Sequence, residues 1–467
     1  MGEEIGASGF RSEDFALFSR RLAQETDLAR AMFEAQAFAR EGYRLGFEIE
    51  AWILDHNYFP APVNERLLAT LDNPLAVPEL SRFNIELNCE PLSLASGALD
   101  RAEAGLSALW RDCNAVAHGL DANMVMIGTL PTIRDEDLSL ANLTPLNRFV
   151  RLNEELQKQR AGAPVRVDIS GEDRLLCEHH DLMLEAAATS FQIHLQTPAD
   201  LALTFYNAGL AAAGPLLAAC GNAPFLFGKS LWEETRIALF EQAINFGSAA
   251  RVGLGSGYLK RSGVEHFEEN LRDHPPLLPV PFDDPPGKLR HLRLHNGTIW
   301  RWNRLLIGFD DGAPHLRIEH RILPSGPTLA DMIANTALYL GLVGHLAGLG
   351  DDGTGGLSFA EAAANFYAAA RHGLEAEFAW PGVGRAPAGR LLLERLIPAA
   401  RAGLAAFGLA AQDGWRLDII EARVRAQRTG AAWQRAALKA AKGDRHRLMA
   451  AYCERQRSGA PVHEWEL

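Results

Sequence analysis

The chain has 467 residues, 48% hydrophobic and 22% charged, which gives a globular protein ample material for a large core in one or two domains. Its 46 Lys and Arg against 58 Asp and Glu leave a formal charge of -12, and no basic block is long enough to track a phosphate backbone, which argues against a nucleic-acid partner. Met1–Ile5 carries no basic run leading into an apolar one, and the apolar stretches around Leu201 to Cys220 and Ile333 to Leu349 are broken by polar residues, so the expectation is a cytoplasmic protein without a membrane partner.

In chain order, Ser12 to Arg40 has apolar residues at helical spacing, with Ser12 as the expected N-cap. Gly46 to Leu54 follows as a β-prone run that sets Glu48 and Glu50 on one face and Phe47, Ile49 and Ile53 on the other. Two carboxylates about 7 Å apart on one face repel unless a positive group joins them. A hard divalent cation such as Mg²⁺ fits, and a half-solvated acidic face is the alternative. A short helix is expected over Glu65 to Leu71, then a strand, Phe83 to Pro91, with Asn84, Glu86, Asn88 and Glu90 on one face. A helix over Ala98 to Leu120 precedes an apolar strand from Asn123 to Thr129. The polar region from Arg134 to Glu178 reads as a surface excursion with one helix near Asn147 to Gln159.

Phe191 to Gln196 alternates again, with Gln192, His194 and Gln196 on one face, and a helix is expected from Leu201 to Ala219. Arg236, on a later helix, reads by itself as a solvated residue. His315 to Arg321 forms a fourth alternating strand whose polar face holds Arg317, Glu319 and Arg321. A helix over Leu329 to Leu349 ends at a glycine-rich joint, Gly350 to Gly356, which divides a mixed α+β body, residues 1–350, from a helical region, residues 351–467. The five cysteines, Cys89, Cys113, Cys177, Cys220 and Cys453, are widely spaced without a CxxC pair and read as buried thiols in a reducing compartment.

An ordinary wet sheet face is rich in Lys, Thr and Ser, whereas these faces hold Glu, His and Arg. Carboxylates and an imidazole suit divalent ions, and guanidinium forks suit phosphate oxygens, so together they point to a metal and phosphate site. Individually, His194 reads as a satisfied sheet histidine, Glu90 as a turn cap, and Trp300 and Trp302 as packing.

Gly46-Phe47-Glu48-Ile49-Glu50, the Glu79 to Glu86 pair, Ser190-Phe191-Gln192-Ile193-His194, Gly221-Asn222-Ala223-Pro224-Phe225 and Arg317-Ile318-Glu319-His320-Arg321 resemble the glutamate-cysteine ligase family. That family lies within the glutamine synthetase-like carboxylate-amine ligases, and the resemblance runs from about Tyr43 to Leu349. It implies an α+β fold in which a curved, mainly antiparallel sheet with an acidic concave face is backed by helices. It also implies Glu48, His194 and Glu319 as ligands of one Mg²⁺ site and Glu50, Glu79 and Glu86 as ligands of the other. Arg317 and Arg321 would bind the ATP phosphates and act with Glu319 in catalysis, and Arg236 and Arg251 would hold the substrate carboxylate. Partners would be small molecules, ATP and amino acids.

The first reading is therefore ATP- and Mg²⁺-dependent synthesis of γ-glutamylcysteine through an acyl phosphate. The alternatives are a ligase for another amine or carboxylate, and a nucleotide-binding homologue without turnover. The stretch from Leu294 to Arg304 is aromatic and basic near the expected substrate site, either selecting a different substrate or covering the sheet. The helical region after Gly356 matches no catalytic element and reads as a packing or homo-oligomer surface.

Overall fold

The computed structural model describes residues 4–6, 9–245, 250–409 and 411–467. Its centre is strand β1, Arg44–Leu54, whose alternation is the one its sequence dictates: Phe47, Ile49, Ala51 and Ile53 are buried, and Glu48 and Glu50 face the opposite, partly open side. The other strands are β2 (Ala76–Pro78), β3 (Asn84–Asn88), β4 (Leu92–Ser93), β5 (Asn123–Val125), β6 (Val165–Ser170), β7 (Arg174–His179) and β8 (Ser190–Thr197). Then come β9 (Phe225–Leu226), β10 (Lys229–Ser230), β11 (Asn303–Asp310), β12 (Ala313–Pro324), β13 (Glu377–Trp380) and β14 (Gly384–Pro387).

The main sheet has eight strands in the order β11-β12-β8-β1-β3-β2, with β4 and β5 also pairing β1, and every pairing is antiparallel. The sheet curves, and helices cover its apolar face. Chief among these are Ala202–Cys220 and Leu329–Ala347, which are apolar almost all round because both are enclosed in the protein. On that side His320 of β12 stacks on Tyr339, with ring centroids 4.5 Å apart.

Several boundaries differ from the sequence expectation. The first helix is Ser12–Glu34, shorter than the run to Arg40, because Gln36 turns left-handed (φ 52); its N-cap is Arg11, whose amide bonds Asp14. Strand β5 stops at Val125, and a Cβ on Gly128 would lie within 3.0 Å of Pro324, Ala223 and Arg236, so the chain there must pass close beneath β12. The excursion from Arg134 to Glu178 contains most of the β6–β7 hairpin, and a full sheet strand, β11, begins at the end of the aromatic and basic stretch and runs on to Asp310. Cys89 and Cys177 are half-buried, unlike the other three cysteines.

The C-terminal region includes the β13–β14 hairpin as well as helices. Its helix Phe359–His372 packs on Ala202–Cys220, and Ile397–Gly403 packs on Leu329–Ala347. The second crossing is close enough that a Cβ on Gly403 would collide with the Gly341 carbonyl, and one on Gly341 with the Ala400 carbonyl. The glycine-rich joint is itself held down: Thr204 Oγ1 donates to the Asp351 carbonyl at 2.6 Å, and Asn207 Nδ2 to the Asp352 carbonyl at 3.0 Å.

Candidate active site

Sheet register builds the site. Arg304 on β11 pairs with Glu319 on β12, Glu319 with His194 on β8, and His194 with Gly46 on β1, so one line of residues crosses four strands. Opposite Gly46, His194 approaches Glu48, two residues along β1. Ligand atoms of Glu48, His194 and Glu319 all lie within 4.8 Å of one another. His194 Nε2 is 3.0 Å from Glu48 Oε1, yet it is buried and lacks hydrogen-bond geometry to any described residue. All three ligand atoms are close enough together to serve one cation. Carboxylate oxygens with a single imidazole form a hard donor set, so these residues fit Mg²⁺.

The second group of carboxylates begins on the neighbouring strands. Glu50 pairs with Glu86 across β1 and β3, and Val77 of β2 pairs with Glu86 from the other side. Glu79 stands one residue beyond the end of β2. Glu50 accepts from the Ser190 amide at 2.6 Å, the Ser190 hydroxyl at 2.9 Å and Gln192 Nε2 at 3.2 Å.

Burial, with the charge of Glu50, pushes the Glu79 carboxyl up to about 7. Burial, with Glu48 and Glu79, pushes Glu86 up to about 8. Glu50 is likewise raised, by burial and Glu86. The trend reverses at the first cluster. Burial opposes ionisation of Glu48, but His194 and Arg321 outweigh it and hold Glu48 well below the usual range. Arg304, Arg321 and His194 do the same for Glu319. One half of the face thus carries fixed negative charge matched by cations, and the other carries carboxylates that repel one another.

The arginines divide into different jobs. Arg321 is buried and donates to Glu319 Oε1 at 2.5 Å. Arg317 is half-buried, and its Nε has no hydrogen-bond partner among the described residues. Arg236 is buried, against the reading of a solvated helix face, and lies against β12, donating to the Ile322 carbonyl and to Glu234, both at 3.2 Å. Arg251 donates to the Thr298 carbonyl at 3.0 Å and the Pro275 carbonyl at 2.5 Å, which ties two loops together. Burial lowers its pKa to about 10. Trp300 and Trp302 are buried against Phe240, and Trp302 donates to Glu241, so both are core.

Two site residues were missed in the sequence. Arg304 grips Glu319 with Nε at 2.8 Å from Oε2 and Nη2 at 2.9 Å from Oε1. Glu185, on the turn Met183–Ala187 before β8, has a buried Oε2 without a hydrogen-bond partner among the described residues; burial and the charges of Glu79 and Glu50 push it up to about 8. Arg304 was recoverable from the β11–β12 turn, whereas no periodicity marks Glu185.

The sequence profile of glutamate-cysteine ligase family 2 (GCS2) matches residues 44–411. The chain belongs to this family. A GCS2 chain is a carbon–nitrogen ligase, and its match runs past the glycine-rich joint into the C-terminal region. The fold is shared with a glutamate–cysteine ligase from Francisella tularensis solved in complex with AMP, at a TM-score of 0.52 and 11% identity over 91% of this chain and 89% of that one. It is shared also with a bifunctional glutathione synthetase from Pasteurella multocida, at a TM-score of 0.56 and 12% identity. That alignment covers 95% of this chain but 54% of the Pasteurella chain, so this GCS2 chain spans about half of the bifunctional protein. No curated protein sequence matches it.

Proposed function

We propose that this GCS2 protein is an ATP- and Mg²⁺-dependent ligase that joins the γ-carboxylate of glutamate to the amine of cysteine, acting on small molecules in the cytoplasm. The observation that carries the reading is the line Arg304–Glu319–His194 beside Glu48, where a hard-cation site and two guanidiniums meet on one carboxylate. A carboxylate is a poor electrophile, because its charge repels nucleophiles and oxide is a bad leaving group. Transfer of the ATP γ-phosphoryl group to it gives an acyl phosphate and ADP; the free-base amine then adds, its nitrogen gives up a proton, and phosphate leaves with the C–O electron pair, forming the amide.

The protein's contribution is position and charge. Bound Mg²⁺, held by Glu48, His194 and Glu319 and by Glu50, Glu79 and Glu86, would supply charge neutralisation between nucleotide and carboxylate. Arg317 and Arg321 stand on the same strand face as Glu319 and offer guanidinium donors to phosphate oxygens. Arg236, beside the end of β12, suits the substrate carboxylate better than Arg251, whose two terminal nitrogens serve loop carbonyls. The nucleotide in the Francisella relative supports a nucleotide site on this fold.

The test is ADP release by purified protein given ATP, Mg²⁺ and glutamate, with amines added one at a time. Dependence on cysteine is expected. Dependence on another amine would keep the chemistry and change the acceptor, and ADP release indifferent to every amine and carboxylate would sink the ligase reading.

A further inference from the structure

Hairpin β6–β7 carries a second convergence of metal-ligating side chains that shares no residue with the carboxylate face. Cys177 and His179 are two apart on β7, so their side chains leave the same face, the one on which Leu175 is buried. Register places them opposite Val167 and Val165, whose side chains are buried too, so this is the inner face of the hairpin. Asp135 arrives from the short turn Asp135–Asp137. Its neighbours Glu136 and Asp137 are both engaged by Arg134, at 2.7 Å each, while Asp135 Oδ1 lies 2.8 Å from His179 Nε2. The Cys177 thiol completes a group whose ligand atoms are all within 4.8 Å of one another.

The chemistry of this set differs from that of the active site. Mg²⁺ prefers oxygen, and the cleft supplies carboxylates with one imidazole. A thiol, an imidazole and a carboxylate form a softer set, which selects Zn²⁺ and its close relatives. In a tetrahedral site with zinc bonds of roughly 2.0–2.3 Å the ligand atoms stand about 3.3–3.8 Å apart, so atoms gathered within 4.8 Å come to one ion by small side-chain rotations, chiefly of Asp135, whose side chain is 60% exposed. His179, by contrast, is buried and fixed.

We propose that Asp135, Cys177 and His179 bind one zinc-class divalent ion, with a fourth position open to water, and that the ion fastens hairpin β6–β7 to the turn at Asp135. Binding replaces the Asp135–His179 hydrogen bond with two metal bonds. It also forms a metal–sulfur bond as the thiol proton leaves to solvent, so no oxidant or reductant is involved.

The experiment uses full-length protein stripped with a chelator and titrated with Co²⁺ in the presence of excess Mg²⁺. Co²⁺ bound through a thiolate gives a sulfur-to-metal charge-transfer band in the near ultraviolet, and neither carboxylate cluster of the cleft contains a sulfur ligand. One equivalent of Co²⁺ is expected to produce the band and Zn²⁺ to abolish it by displacement. Cys177→Ser should lose the band while Cys89→Ser, at the other half-buried cysteine, keeps it. Asp135→Asn, at an exposed position that does not threaten folding, should weaken Co²⁺ binding by about tenfold or more. Absence of the band in the native protein, its persistence in Cys177→Ser, or unchanged affinity in Asp135→Asn would overturn the site.

Discussion

Arg304 and Glu319 face each other across β11 and β12, with the guanidinium Nη2 2.6 Å from Glu319 Oε2 and Nε 2.8 Å from the same oxygen. Because Arg321 takes Oε1 of that carboxylate at 2.5 Å, Glu319 carries two buried cations as well as its place in the His194 and Glu48 cluster.

Glu319→Gln is therefore expected to abolish amide formation and also to lower stability. From the sequence alone the variant should fold intact, since Glu319 points to the cleft, but the side chain is 1% exposed and its loss strands two guanidiniums. Removing one member of a buried ion pair costs about 3–5 kcal/mol. Thermal unfolding and ADP release measured on the same sample check both outcomes; wild-type melting with no activity would show that the arginines find other partners.

Arg304→Lys keeps the charge and loses the fork that grips Glu319. A fall in kcat of about tenfold or more is expected, as for loss of a group positioned at a charged centre. Unchanged kinetics would confine Arg304 to a packing role.

The raised carboxylates set a pH dependence for metal-free protein. Glu79 and Glu86 titrate at about 7 and about 8 when folded, against 4.5 ordinarily. Between those values the folded state binds more protons than the unfolded one, so their contribution to stability is full below 4.5 and is lost as pH rises through 7 to 8. Melting temperature without metal should fall over that window. Mg²⁺ should raise it more at the alkaline end, where the carboxylates are charged, and an equal Mg²⁺ effect at both ends would contradict this account.

The last helix, Arg445–Ser458, anchors the cleft from behind. Tyr452 donates to the Met126 carbonyl at 3.0 Å and accepts from Asn222 at 2.9 Å, while Gln456 binds Met126 through both amide and carbonyl and reaches the Pro327 carbonyl. Met126 directly follows β5, and Pro327 lies three residues beyond β12. Gln456→Ala takes the side-chain partner from the Met126 amide and the Pro327 carbonyl, while Tyr452 still serves the Met126 carbonyl; each group left unpaired costs about 1–3 kcal/mol, and a lowered denaturation midpoint is the expected result.

Gly403→Ala should break the docking of the C-terminal region, since its Cβ would collide with the Gly341 carbonyl. Overpacking typically costs about 1–3 kcal/mol, and contact with a rigid helix backbone places this variant at the upper end. The melting temperature measures it.

Sequence alone determined the strand faces. Alternation at period two is a local property, so Glu48, Glu50, Glu86, His194, Glu319 and Arg321 could each be set on a polar face before any partner strand was known. The β11–β12 register was also legible: Asp311-Gly312 is a two-residue hairpin signal, both residues take positive φ (48 and 87), and pairing Asp310 with Ala313 carries Arg304 to Glu319 by counting.

What only the tertiary structure decided is which faces meet and what supports them. Glu185 sits on an irregular turn, Glu79 lies beyond a three-residue edge strand, and Arg236 is buried by β12 rather than by its own helix. Likewise, the C-terminal helices brace Met126 and Asn222, more than two hundred residues away in the chain. No local pattern encodes such contacts, because they depend on chain segments brought together by burial of the common core.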